Sequence, residues 1–171
     1  MAELKRNLSA VILPLEKKHW PEAARIYEEG IRTGDATFET RVPSWEEWDQ
    51  AHLAACRFVT VVDDGVAGWA ALSPVSGRCI YSGVAEVSVY VSQSYQRHGI
   101  GSALLDRLIQ SSEAQGIWTL QAGILPENKA SIRLHQKLGF RVVGIREKIG
   151  KMDQLWRDVL LLEKRSKKSG V

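Results

Sequence analysis

Between Gln96 and Gly101 the chain reads Gln-Arg-His-Gly-Ile-Gly, a basic, glycine-punctuated turn. It stands directly before an apolar helical pattern at Leu104, Leu105, Leu108 and Ile109. Ahead of it runs a strand-like alternation, with Ala85, Val87, Val89 and Val91 on one face and Glu86, Ser88 and Tyr90 on the other. A strand, a glycine turn and a helix start together present unpaired backbone N–H groups and the positive end of a helix dipole. That chemistry suits a phosphate. The turn is not a P-loop, because Ser102 and Ala103 follow Gly101 where a lysine and a hydroxyl residue would stand. It is not the dinucleotide fingerprint either, since Leu104 takes the place of the third glycine. On spacing alone, a phosphate site and a plain tight turn remain open readings.

The elements that must position this turn follow from local signals. A first strand is expected over residues 11–15 after a polar leader, and a helix over 21–31 with Pro21 in its first turn. Ser44 is a good N-cap for a second helix to about residue 55, with Glu46 and Glu47 in its first turn. Trp45 and Trp48 share one side of that helix, either lining a pocket or packing. Two β-rich runs, 58–62 and 66–72, flank Asp63-Asp64-Gly65, a hairpin signal. Residues 73–77 form a loop to Arg78-Cys79-Ile80-Tyr81. The helix after the phosphate-like turn ends near Gly116, and a strand spans 118–124 until Pro126. Asn128 caps a helix through residue 138, stopped by Gly139. Two closing strands are expected at 141–147 and 155–162. The fold class is α/β, a single domain over 1–171 with a mixed sheet and a right-handed crossover through the helix near 100–116.

The bulk numbers exclude several function classes. A chain of 171 residues with 44% hydrophobic and 25% charged residues belongs with ordinary globular domains. The net charge of +3 is local: Lys164, Arg165, Lys167 and Lys168 outweigh Glu163 in the last stretch, leaving 19 basic and 19 acidic residues elsewhere. A basic tail, 164–171, on a neutral body argues against nucleic-acid binding and for a solvated, frayed terminus. Cys56 and Cys79 make neither a disulfide framework nor a metal site, so no metal is expected. No apolar run approaches the roughly 18 residues of a membrane span, and no signal peptide opens the chain, so a cytoplasmic location without membrane partners is expected.

Several motifs resemble one family. The spelling Gln96-x-x-Gly99-x-Gly101 after a Val-rich strand resembles the pyrophosphate-binding motif Gln/Arg-x-x-Gly-x-Gly/Ala of the GNAT acetyltransferases, and Asn128-x-x-Ser131-x-x-x-His135-x-x-x-Gly139-Phe140 resembles their second signature, with histidine in a tyrosine's place. His135, the EVSVYV strand, Thr37-Phe38-Glu39-Thr40 and Trp156-x-Asp158 narrow the resemblance to the phosphinothricin acetyltransferase branch, which includes enzymes acetylating methionine sulfone and methionine sulfoximine. It runs from about residue 11 to residue 163.

The resemblance implies a GNAT fold, splayed at its central strands, and acetyl-CoA as co-substrate. Gln96, Arg97, His98, Gly99, Ile100, Gly101 and Ser102 would hold the diphosphate. Val89 and Val91 would meet the pantetheine arm through their main chain, a backbone amide near Tyr90 would face the developing oxyanion, and Asn128 and Ser131 would reach the same arm. Amide formation needs a neutral amine, and an α-amino group has a pKa of roughly 8 against about 10.4 for lysine. Glu86, on the polar strand face, is the candidate base; without the resemblance it would read as a surface glutamate. His135 is either the acid that protonates the leaving thiolate or a group that positions others. Arg78 in Arg-x-x-Tyr81 would meet a substrate carboxylate, with Phe38 and Ser88 completing the pocket. The resemblance also implies a homodimer.

The chain departs from the pattern in places. Gly83 replaces a tryptophan often found before the glutamate, Arg41 stands where many relatives carry an acid, and Lys-x-Gly before Trp156 is not intact. The reading is an acetyl-CoA-dependent N-acetyltransferase acting by direct transfer on the α-amino group of a small amino acid or analogue. The alternatives are a peptide or protein N-acetyltransferase and a non-catalytic acyl-CoA-binding module.

Overall fold

The computed structural model describes residues 9–171; the polar leader expected before the first strand falls in residues 1–8, outside them. In chain order the elements are β1 (Ala10–Pro14), α1 (Trp20–Thr33), α2 (Trp45–Ala51), β2 (Phe58–Val62), β3 (Gly65–Pro74), β4 (Val84–Val91), α3 (Ile100–Ala114), β5 (Thr119–Ile124), α4 (Lys129–Lys137), β6 (Arg141–Met152) and β7 (Leu155–Arg165). The strands form a single sheet in the order β1-β2-β3-β4-β5-β7-β6. The β2–β3 hairpin closes because Asp63 and Asp64 adopt left-handed φ values of 48° and 64°. Short polar side chains tolerate that conformation, and it matches the twist of the strands.

Every pairing is antiparallel except β4 with β5, joined by the α3 crossover. That parallel ladder holds for only three rungs, Val84↔Thr119, Ala85↔Leu120 and Glu86↔Gln121. Beyond it β4 stays paired to β3 as far as Val91, while β5 stays paired to β7 as far as Ile124. Each arm is thus held from outside, and the sheet opens into a V between them. The expected splayed, mostly antiparallel α/β architecture is what the chain adopts.

Two buried clusters sit on the two faces. One gathers Leu104, Leu105 and Leu108 of α3 with Leu72, Ala85, Leu120, Phe140 and Leu162. The other gathers Trp20, Ala23, Ile26 and Tyr27 with Trp48 and Trp69. Trp48 is packing rather than pocket lining. It is buried, lies 5.1 Å from Trp20 and 5.6 Å from Trp69 between ring centroids, and stacks on Trp45.

Three boundaries differ from expectation. α2 stops at Ala51 rather than near residue 55, because His52 turns extended (φ −115°, ψ 151°). The Arg57 guanidinium then collects the released carbonyls of Asp49 (3.1 Å) and His52 (2.9 Å) and pairs with the Asp49 carboxylate. β6 and β7 run longer than expected, to Met152 and Arg165. The basic terminus is docked rather than frayed. Ser166 N–H donates to Trp118 O at 2.8 Å, Ser166 Oγ donates to Glu113 at 2.9 Å, and Lys168 pairs with Glu113 at 3.2 Å.

Gly83 also finds its explanation here. The indole of Trp118, at the head of β5, lies against it so closely that a Cβ would stand 2.0 Å from Cε3. Gly83→Ala should therefore destabilise the protein by about 1–3 kcal/mol through overpacking, seen as a melting temperature several degrees lower. Trp118→Leu in the same chain should restore most of the loss. An unchanged melting temperature would contradict this packing.

Candidate active site

The phosphate-like turn is built as its sequence requires. A 3-10 turn at Gln93–Tyr95 carries the chain out of β4, and Glu29 on α1 fixes its start by accepting from Gln93 N–H at 2.8 Å. Arg97 and Gly99 then take left-handed φ values of 65° and 81°. Gly99 is the N-cap of α3 and offers no side-chain acceptor. Ser44 caps α2 and Asn128 caps α4, whereas the N–H groups of Ile100, Gly101 and Ser102 keep only the helix's positive end behind them. Gln96, Arg97 and His98 are exposed beside them. An anion with several acceptor oxygens, such as a diphosphate, fits these donors. Gly101 also lets the helix approach: a Cβ there would lie 3.3 Å from Leu134 Cδ2 and 3.5 Å from Val91 Cγ2.

Glu86 stands on the last rung of the parallel ladder, where the V begins. It is half-buried and accepts a hydrogen bond from Gln121 Nε2 at 2.8 Å. Past it, Val89 and Val91 pack their side chains against the α3-side core, and their main chain runs along the open edge of β4. Ser88 is half-buried on the same strand face as Glu86. Tyr90 shares that face, but its ring is committed to packing. It stacks on Trp69 at 4.8 Å, meets Tyr27 at 4.8 Å and covers Gly30. Burial, and then the neighbouring Tyr27, push its phenol well above the ordinary range, so it stays protonated. What Tyr90 offers the cleft is therefore its main chain.

His135 is the buried residue of α4, 4% exposed. Its Nδ1 lies 2.8 Å from the Ser131 carbonyl oxygen and 3.4 Å from Ser131 Oγ. A carbonyl can only accept, so Nδ1 carries the proton and Nε2 holds a lone pair. Nε2 is buried without a partner among the described residues. Burial lowers the ring's pKa below its ordinary value, so the imidazole is neutral at pH 7. In this tautomer it has no Nε2 proton to donate. Asn128 Oδ1 accepts from Ser131 N–H at 3.1 Å, which leaves its amide N–H₂ to reach elsewhere.

The substrate-side residues divide. Arg78 lies over Tyr81, guanidinium to ring 5.6 Å, both exposed. Phe38 is half-buried with its ring on Gly150 of β6, where a Cβ would come within 2.6 Å. Arg41 forms a two-pronged pair with Glu47 (2.7 and 3.0 Å), and Glu47 also closes the α2 capping box. The basic residue at position 41 thus builds a helix start. Lys-x-Gly proves to be present as Lys148-Ile149-Gly150, set apart from Trp156 by a hairpin tip at Asp153 and Gln154 (φ 46° and 68°). Sequence reasoning missed Gln121, Glu29 and Arg157. Only a signal linking distant residues could have found them, since each acts across the fold. Among the described residues no group of three or more His, Cys, Asp or Glu side chains can hold a metal.

Residues 20–140 match the acetyltransferase (GNAT) family. A phosphinothricin N-acetyltransferase from Streptomyces viridochromogenes is 36% identical over 133 residues, covering 75% of this chain and 73% of that protein. An L-methionine sulfoximine/L-methionine sulfone acetyltransferase from Pseudomonas paraeruginosa is 34% identical over 99 residues, 58% of this chain and 56% of its own. A GNAT-superfamily phosphinothricin acetyltransferase from Sinorhizobium meliloti, solved with acetyl-CoA, superposes with a TM-score of 0.84 at 26% identity, over 95% of this chain and 91% of that one.

Two outcomes follow. Ser102→Asp would place a carboxylate on the uncapped amides, so binding of coenzyme A, measured by calorimetry, should weaken tenfold or more while thermal stability holds or rises slightly; unchanged binding would mean the diphosphate lies elsewhere. Burial lowers the pKa of both His52 and His135. As pH falls through the unfolded value of about 6.5, the unfolded chain binds protons that the folded one refuses, and stability drops. Chemical denaturation between pH 7 and 5.5 should show this decline, flattened in His135→Gln. Equal slopes in both proteins would refute it.

Proposed function

The chain belongs to the GNAT acetyltransferase family, and on that premise we propose that it transfers the acetyl group of acetyl-CoA directly to the α-amino group of a small amino acid or analogue of the phosphinothricin, methionine sulfoximine or methionine sulfone type. The observation that carries this reading is the placement of Glu86. Its carboxylate is oriented by Gln121 at the point where β4 and β5 part, and an unpaired strand edge leads from it to the uncapped start of α3. Acetyl-CoA supplies an acyl thioester there.

The residues divide the remaining work. Glu86 accepts the ammonium proton, directly or through water, and so releases the amine's lone pair. Attack of that pair on the thioester carbonyl forms the C–N bond and breaks the C–S bond, and the thiolate of coenzyme A leaves with the second proton that the nitrogen gives up. The amides at Ile100, Gly101 and Ser102, with Arg97, Gln96 and His98 around them, bind the diphosphate. The main chain of Val89, Tyr90 and Val91 aligns the pantetheine arm and faces the charge that develops on the carbonyl oxygen. Asn128 and Ser131 approach the arm from α4. Arg78 pairs with the acceptor carboxylate, while Tyr81, Ser88 and Phe38 bound its side chain. His135, neutral and bonded to Ser131, supports a positioning role for the first turn of α4 over that of an acid. Neither Cys56, buried, nor Cys79, exposed, is hydrogen-bonded to a histidine among the described residues, which favours direct transfer over an acyl-enzyme.

A homodimer and a cytoplasmic location complete the proposal. The exposed Val143, Ile145 and Ile149 on edge strand β6 support the first. For the second, no helix among the described residues is long and apolar enough to cross a membrane.

Thiol release from acetyl-CoA, screened over phosphinothricin, methionine sulfoximine, methionine sulfone, free amino acids and short peptides, tests the reading. Turnover should concentrate on the first three. Glu86→Gln should lower kcat by about 10²-fold or more with coenzyme A binding intact. Turnover confined to peptides, or a Glu86→Gln enzyme as fast as its parent, would overturn it.

A further inference from the structure

The two arms of the V share no ladder beyond Glu86↔Gln121, so something other than the backbone must set the distance between them. α1 and the segment after it ride on the β3–β4 arm, through Tyr27 and Ala23 against Trp69 and Tyr90. Arg157 rides on the other arm, in β7, past the end of the β5 pairing at Ile124↔Leu160. Its guanidinium crosses the gap. Nη1 donates to Gly34 O, the left-handed C-cap of α1, at 3.1 Å. Nη2 donates both to Asp35 Oδ1 at 2.9 Å and to Glu127 Oε2 at 3.2 Å. The Arg157 side chain is 13% exposed, although its carboxylate partners are 46% and 55% exposed.

A charge drawn under cover by two carboxylates and a helix-end carbonyl is a joint, not a loose surface pair. Among the described residues, no other side-chain hydrogen bond links residues 34–44 to β5, β6 or β7. Apolar packing reinforces the joint. Arg157 is paired with Gly150 in the β6–β7 ladder, and Gly150 is the residue on which Phe38 sits. Glu127 in turn directly precedes Asn128, the cap of α4. The guanidinium therefore fixes the segment carrying Phe38, while the start of α4 keeps holds of its own, Ser131 N–H on Asn128 Oδ1 and Asn128 N–H on Leu125 O.

We propose that Arg157 is a positioning residue that holds residues 34–38 down over the open end of the cleft, setting its width so that a single amino acid is accepted and a peptide is not. The inference rests on the acetyltransferase reading given above. Without the guanidinium, the segment 34–38 loses its polar tie to β7 and the cleft widens on the acceptor side, while the α3 turn, held separately by Glu29, keeps its geometry.

Arg157→Met, Arg157→Lys and Asp35→Asn test this, the last two guarding against a variant that fails to fold. Arg157→Met should raise the acceptor KM tenfold or more, with kcat and the acetyl-CoA dissociation constant within about threefold of the parent, and should increase turnover of a dipeptide relative to the amino acid. Arg157→Lys and Asp35→Asn should lie between. Amide hydrogen exchange over residues 34–40 should quicken in the same order. Unchanged acceptor KM in a folded Arg157→Met enzyme, or an equal loss of acetyl-CoA affinity, would overturn the proposal. Should the parent turn over no acceptor at all, the functional reading fails on its own. The clamp is then decided by exchange: faster in the variants supports it, and unchanged exchange refutes it.

Discussion

The parallel ladder between β4 and β5 ends after Glu86↔Gln121, and most of the site's chemistry depends on that ending. A parallel pair inside a sheet normally continues, because every buried N–H and C=O must find a partner. Here the strands part while both remain bonded on their outer sides, β4 to β3 and β5 to β7. The inner edges are left with donors and acceptors that only a ligand or water can satisfy. A pantetheine arm, with its own amide groups, is a chemically suitable occupant. Glu86 gains its place from the same break: it stands on the last rung, and one residue earlier or later its side chain would face the α3 core, as those of Ala85 and Val87 do.

A second stability cost lies at α3. A glycine in place of a side-chain cap forgoes only about a few tenths of a kcal/mol, and this chain caps α2 with Ser44 and α4 with Asn128 but puts left-handed Gly99 before α3. α1 likewise starts without a side-chain cap, but at α3 a left-handed glycine and the exposed Gln96, Arg97 and His98 stand beside the open amides, so a cap is given up where an anion can take its place. The same economy explains β4. Its valines and Tyr90 are bound into the cores on either side, and that packing keeps the strand straight enough for its free edge to serve as a template.

The strands, most helices and the phosphate-like turn were legible because their signals are local. Asp63-Asp64, Gly99, Asn128 and Gly139 each act within a few residues of where they stand. The end of α2 was not legible, since no glycine or proline stands at His52 and the cause is Arg57 drawing carbonyls from a passing loop. The docked terminus was missed for a similar reason: Glu113, which holds Ser166 and Lys168, belongs to α3. Glu86 was legible as a candidate base, but not its orientation, which comes from Gln121 through strand register. Composition could place His135 on a helix but not say that its ring would be buried and uncharged. Arg157 and Asp35 are separated by 122 residues, and no periodicity reports such a pair.

The closing hairpin shows how a surface irregularity reaches the site. β6 departs from regular register between Arg146 and Gly150, with Lys148 at φ 48°. Such a bulge leaves a ladder N–H without its strand partner, and here the Asp158 carboxylate accepts it, from Lys148 N at 2.7 Å. A charged acceptor for that N–H stabilises the bulge. The bulge then aligns Gly150 with Arg157, and the bare Gly150 surface receives the Phe38 ring. Trp156 and Leu155 stay exposed at the tip, so the work of Trp-x-Asp in this chain is done by its aspartate and by the arginine between. Asp158 fixes the bulge, Arg157 reaches across the V, and Phe38 settles where the two together leave room.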